Sequence, residues 1–260
     1  MRIARFTVDG GDPRIGLVEG TSVAEVPTAP DAIAVLNEPD RYPASGPTHA
    51  LDAVTLLHPY DPNSIFAVGL NYRSHADEVG DVVPTEPMFF MKPNTAATGP
   101  GGPVVRPATV RQLDYEAELG LVIGQEGTVA GLVVTDDVSA RDFLSDRQFI
   151  RMKAPDTFCP FGPWITSIDA VADPYDLAIR LWVDGELRQD STTKDMVFSF
   201  DEILSALGES VRARNGDLIL TGTPAGVGLA ATPQVWLEPG QTVRVEIEGL
   251  GVIEHRVVDA

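Results

Sequence analysis

The chain has 260 residues, 43% of them apolar and 22% charged, with a single cysteine. At this length folding buries roughly 70–75% of the surface an unfolded chain exposes, so a core forms without staples, and collagen, disordered and disulfide-scaffold classes are excluded. Thirty-eight acidic against 19 basic side chains leave a formal charge of −19, which repels polyphosphate and excludes a nucleic-acid partner.

Only Lys92, Lys153 and Lys194 supply ammonium groups, so a lysine inside a motif carries more information here than in a lysine-rich chain. No stretch is long and apolar enough for a signal peptide or a membrane span, and a soluble cytoplasmic chain with no membrane partner is expected. Cys159 has no partner, which suits a reducing compartment. Between Phe158 and Pro160 it reads as a packed thiol.

Residues 1–58 read as a small accessory domain of short strands, RIARFTV, IGLVEG and SVAEV, followed by a helix near Asp31–Asn37 and a proline-rich passage. From residue 59 to 260 the strand-like runs SIFAVGL, LGLVIG, GLVVTDDVSA, LAIRLWVDG, DLILTG and QTVRVEIEGLG are separated by Gly, Pro, Asn and Asp turns. Helical periodicity is confined to Ser74–Val79 and Ser199–Leu207, where Phe200, Ile203, Leu204 and Leu207 share one face. Strands outnumber helices and do not alternate with them. That predicts a β-rich, mostly antiparallel α+β fold and excludes a doubly wound parallel sheet.

In Leu113–Gly124 the odd positions from Leu113 to Ile123 are all apolar. As a strand, this segment carries Asp114, Glu116 and Glu118 on one face, because side chains two residues apart point the same way. Like charges so placed are destabilising unless neutralised, by solvent on a surface or by a hard cation in a cleft. Asp137 ends the next apolar run. Glu116, Glu118 and Asp137 form an all-oxygen set that suits Mg²⁺ or Mn²⁺ and not zinc; a solvated acidic face is the alternative.

These residues stand in five motifs, spread in order over residues 65–228: GLNYRSHADE from Gly69, Asp114–Gly124, DDVSARD from Asp136, KAPDTFCPFGPW from Lys153, and GDLILTGTPAGVG from Gly216. Together they closely resemble the fumarylacetoacetate hydrolase family. The resemblance implies a mixed β-sandwich roll, a homodimer, and one Mg²⁺ or Mn²⁺ held by Glu116, Glu118 and Asp137. It also gives His75 and Glu78 the role of a base dyad on a lid segment. On the residues alone, Glu78 lies one helical turn beyond His75, where a carboxylate orients an imidazole as general base; a packed or capping histidine is the plainer reading. Lys153 is the candidate cation beside a developing enolate, and Lys92, in a family-like stretch, can pair with an acid.

For substrate binding the candidates are the Gly222-Thr223 turn, the guanidinium groups of Arg73 and Arg141, and Gln189, which resembles a pocket-lining family position. Asp77 and Asp142 are the obvious ion-pair partners if the two arginines are structural. The Thr221–Gly228 loop lacks the ending of a phosphate loop. Where family members often carry a glutamine two residues beyond the Arg-Asp pair, this chain has Leu144, with Gln148 four residues on as a stand-in. The expected activity is hydrolysis of a 3-acylpyruvate-type diketo acid. Decarboxylation of an oxaloacetate-like acid, or isomerisation of an unsaturated 2-oxo diacid, uses the same enolate without the water, and a silent metal- or carboxylate-binding protein is the remote alternative.

Overall fold

The computed structural model describes residues 1–260. Its main layer is a 12-stranded sheet whose central ladder runs Arg2–Thr7, Cys159–Ser167, Val129–Asp136, Ala117–Ile123, Leu218–Leu220, Ile65–Gly69 and Met88–Lys92. Every neighbour in that ladder is antiparallel except Leu218–Leu220 against Ile65–Gly69. The strands Arg14–Glu19, Ser22–Glu25 and Thr48–Ala50 extend the sheet beyond Arg2–Thr7, so the N-terminal strands continue the same sheet. A second, five-stranded sheet is built on Ala178–Val183, Glu186–Thr192, Thr242–Ile247 and Gly251–Asp259, with Val104–Arg106 parallel at its edge. The fold is thus β-rich, mixed and only sparsely helical, as the irregular strand spacing predicts.

Two cores explain this layering. The larger, of 32 residues, takes Leu113, Tyr115, Ala117, Leu119, Leu121 and Ile123 from the alternating segment and packs them against the second sheet. A second core of 17 residues lies on the other face of the large sheet, where Val122 and Val133 meet helix α1, Ala32–Asn37. Helix α2 spans Arg73–Val79 and ends at Gly80 in the left-handed conformation (φ +75°). Helix α3 is the short turn Phe149–Lys153. Helix α4, Phe200–Gly208, starts in a capping box between Ser199 and Glu202 and buries Phe200, Ile203 and Leu207, while Leu204 lies at the margin.

Two departures from the sequence pattern bear on the site. Leu113–Ile123 is not one strand: it is Leu113–Asp114 and Ala117–Ile123, separated at Tyr115-Glu116. At this break side chains replace ladder carbonyls, because Asp136 accepts from the Glu116 N–H (2.8 Å) and Gln189 from the Ala117 N–H (2.9 Å). The second departure is Cys159–Ser167, a central strand although Pro160, Gly162 and Pro163 give it the texture of a loop. A register shift between Leu132 and Val134 of its neighbour accommodates it.

Candidate active site

At one end of the large sheet lies a cavity of about 280 Å³, nine of whose 18 lining residues are apolar. It is small beside the roughly 300–1,000 Å³ of sites for drug-sized ligands. Glu116 and Glu118 reach it from the interrupted strand and its continuation, and Asp137 from the residue following Val129–Asp136. One carboxylate oxygen from each lies within 4.8 Å of the others, and all three residues are buried. The backbone holds them together: the Asp137 N–H donates to the Glu116 carbonyl (2.9 Å), and the Gly222 N–H donates to Glu118 Oε2 (2.7 Å). Gly222 sits at φ +96°, and a Cβ there would come within 2.8 Å of Asn71 Cβ, so the close approach of its N–H to Glu118 requires glycine.

Cations balance the cluster incompletely. Lys153, on the last turn of α3, donates to Glu116 Oε2 and Asp137 Oδ2 at 2.5 Å each. Lys92 donates to the other oxygen of Asp137 and to the Val138 carbonyl (3.1 Å). Arg141 pairs with Glu116 and, through Nε, with Asp114 (2.9 Å). The carboxylates of Asp114, Glu116, Glu118, Asp136 and Asp137 therefore face three buried cations, an excess of two negative charges apart from His255. Against the desolvation that burial imposes, Lys153 and Arg141 hold Glu116 far below the usual carboxylate range. Burial, reinforced by Asp137 and Glu116, pushes Glu118 far above it. A buried all-oxygen set, in a cluster with more carboxylates than cations, fits a hard divalent cation, whose field would return Glu118 to its ionised form.

His75 lines the same cavity from α2. Its Nδ1 meets Glu78 Oε1 at 2.8 Å, one helical turn away, and Glu78 Oε2 accepts from the Gly226 N–H (2.8 Å). The α2 segment is thereby docked on the glycine loop. With Nδ1 so engaged, Nε2 is the ring nitrogen left for chemistry. Asp114 ties down the far end of that loop, accepting from Gly228 (2.7 Å) and Leu229 (3.1 Å) while pairing with Arg141. A Cβ at Gly228 would lie 1.9 Å from the Val235 carbonyl.

The structure sorts the substrate-binding candidates. Thr223 lines the cavity, and its hydroxyl accepts from Gln189 Nε2 (2.9 Å). Gln189 itself is buried behind the wall, its amide consumed by Thr223, the Pro224 carbonyl and Ala117, so it positions the loop and does not line the cavity. Arg141 lines the cavity but its partners are Asp114 and Glu116; Asp142 instead accepts from the Arg111 and Gln112 backbone. Arg73 and Gln148 are exposed and outside the lining, and Asp77 forms no ion pair. Both follow from helix geometry: Arg73 opens α2 on its solvent side, and Gln148 is the residue before α3, whose Phe149, Met152 and Lys153 face inward. Leu144 lines the cavity without help from Gln148.

Sequence reasoning passed over three features. The i, i+3, i+4 spacing of Phe149, Met152 and Lys153 was the legible sign of α3. Asn71 leaves a weaker one: it is buried and joins α2 to the loop through Thr221 (2.7 Å) and Phe198 (2.7 Å). His255, buried with its Nε2 3.1 Å from Asp136 Oδ2, left none, because 119 residues separate the two in the chain.

Comparison with known proteins places this architecture. Residues 64–258 match the family described as fumarylacetoacetate (FAA) hydrolase C-terminal, and residues 1–59 match Rv2993c-like, N-terminal. The chain belongs to the fumarylacetoacetate hydrolase family, whose enzymes bind a divalent metal ion. It is similar to the mitochondrial oxaloacetate tautomerase FAHD2B of Bos taurus, 42% identical over 79% of this chain and 70% of that protein. Among solved structures it resembles the fumarylacetoacetate hydrolase of Exiguobacterium antarcticum, 35% identical with a TM-score of 0.86. It also resembles the 5-carboxymethyl-2-hydroxymuconate delta-isomerase of Mycobacterium smegmatis, 33% identical with a TM-score of 0.84. Both structures are covered in full, as is this chain. No helix is long and apolar enough to cross a membrane.

Proposed function

We propose that this chain is a Mg²⁺- or Mn²⁺-dependent hydrolase of 3-acylpyruvates, with residues 1–58 an accessory unit to a catalytic region at 59–260. The observation that carries the reading is that one small cavity is lined both by His75, held by Glu78, and by the Glu116, Glu118, Asp137 and Lys153 cluster. The three carboxylates would hold the ion, which when bound polarises the 2-oxo acid. Thr223 and the Gly222 turn receive the substrate's oxo-acid end, and Arg141 keeps Glu116 oriented. His75 Nε2 takes a proton from water as the water oxygen adds to the distal carbonyl carbon. Collapse of the adduct breaks the bond to C3, and the electron pair passes into the pyruvate enolate. The Lys153 ammonium stabilises that enolate, and a proton delivered to C3 completes pyruvate and the free carboxylic acid, with one water consumed.

A second reading, proton transfer at C3 without water, is favoured by a specific observation. Leu144 puts an aliphatic side chain on the cavity wall where an amide would hold the water, and the bovine relative is named an oxaloacetate tautomerase. Acetylpyruvate and oxaloacetate, each assayed with Mg²⁺, with Mn²⁺ and with EDTA, separate the two. Hydrolysis predicts metal-dependent pyruvate release from acetylpyruvate and a loss of about 10²–10⁴-fold in His75→Ala. Enol–keto interconversion of oxaloacetate beside inert acetylpyruvate overturns it in favour of the second reading.

A further inference from the structure

The cavity has two parts of opposite character. Its floor is buried and polar, made of the three carboxylates, Lys153, Arg141 and Thr223. Its mouth is half-exposed and apolar: Met88, Leu144 and Phe149 are 43%, 40% and 41% exposed, and the Phe149 ring lies 6.1 Å from that of Phe90. Arg141 and Lys153 are the only arginine and lysine that line the cavity, and both are bound to floor carboxylates. The charged group at the mouth is Asp81, exposed and acidic. Arg147 and Arg151, each two residues from the mouth residue Phe149, both lie outside the lining, and Arg151 stacks on Phe143 at 3.8 Å.

We infer that the site selects 2-oxo acids with a single carboxylate and an apolar arm, and discriminates against diacids. This rests on the reading of the floor as a 2-oxo-acid site. With the oxo-acid end on the floor, the remainder of the ligand extends between Phe90, Leu144 and Phe149. A second carboxylate there gives up hydration without gaining a counter-ion, and it meets the like charge of Asp81. An alkyl arm in the same place buries apolar surface against three side chains. The preference is opposite to the one carried in the name of the bovine relative, whose oxaloacetate is a diacid. Leu144 is the specificity-determining residue: it lies half-exposed in the mouth wall, where a longer polar or cationic side chain is accommodated without disturbing the floor.

A binding measurement on the Mg²⁺-loaded full chain tests the inference apart from the reaction, and a kinetic one tests it through turnover. By titration calorimetry, 2-oxohexanoate binds at least tenfold more tightly than 2-oxoadipate, a diacid of equal carbon number, and Leu144→Arg narrows or reverses that ratio. Neither ligand is cleaved, so the result stands whether or not acylpyruvates are hydrolysed. Where acylpyruvates are turned over, kcat/KM rises about fourfold per added methylene from acetyl to butanoyl, the rate equivalent of one buried methylene. Equal or tighter binding of 2-oxoadipate to the parent protein overturns the inference, as does a ratio that Leu144→Arg leaves unmoved. Inert acylpyruvates beside a preserved binding preference overturn only the hydrolase reading.

Discussion

Lys153→Met deletes the ammonium and keeps an unbranched stem of similar volume. In the parent that ammonium bridges Glu116 and Asp137 at 2.5 Å each, and all three groups are buried. Removing one partner of a buried ion pair costs roughly 3–5 kcal/mol. Here each carboxylate keeps a second cation, Glu116 with Arg141 and Asp137 with Lys92, so the lower end applies. A loss of about 3 kcal/mol in a chain of this size lowers Tm by roughly 6–12 °C, measured by scanning calorimetry in EDTA. Metal reverses the sign. In the parent a divalent ion must share two of its ligands with a neighbouring ammonium, whereas in the variant it meets an extra uncompensated charge. Mg²⁺ or Mn²⁺ therefore raises the variant's Tm by more than the parent's, and titration calorimetry gives a Kd at least tenfold lower, while turnover falls because the enolate loses the ammonium that stabilises it. A variant as stable as the parent in EDTA, or one that binds the ion more weakly, refutes this account of the floor.

Other residues give sharper tests of how the floor is supported. Gln189→Leu removes three hydrogen bonds that fasten Thr223, Pro224 and Ala117; it costs about 2–4 kcal/mol and raises KM more than it lowers kcat, in steady-state assays. His255→Leu leaves the buried Asp136 Oδ2 facing carbon, so the carboxylate whose Oδ1 holds the Glu116 N–H is less firmly oriented and metal affinity falls about 10–100-fold by calorimetry, an effect His255→Gln partly rescues. Burial pushes the Cys159 thiol up to about 12, above its unfolded value, so the native state favours the neutral thiol. That stability is present in full below about pH 8.5 and is lost as pH rises toward 12, and labelling by a disulfide reagent at pH 8 proceeds only at the rate of unfolding.

Local pattern by itself determined the β-rich class, the helices near Asp31, Ser74 and Ser199, and the alternation that separates Leu113–Ile123 into a core face and an acidic face. Those properties depend on residues two to four apart, where side-chain direction is set by the backbone. The motifs likewise marked His75, Glu78, Glu116, Glu118, Asp137 and Lys153 in advance, and the structure gathers all but Glu78 around one cavity, with Glu78 holding His75. Only the tertiary structure decided the rest. It broke the acidic strand at Tyr115-Glu116, because Asp136 and Gln189, far along the chain, take the backbone N–H groups there. It paired Arg141 with Asp114 and not with its neighbour Asp142, since adjacent residues diverge while a folded sheet brings distant ones together. Arg73, opening α2, and Gln148, just before α3, were turned to solvent, and Lys92 and His255 were brought behind the floor, to Asp137 and Asp136, across long separations. The −19 charge, read first as a bar to nucleic acid, acquires its functional part the same way: folding collects a few of those carboxylates where water is excluded, and there they call for a cation.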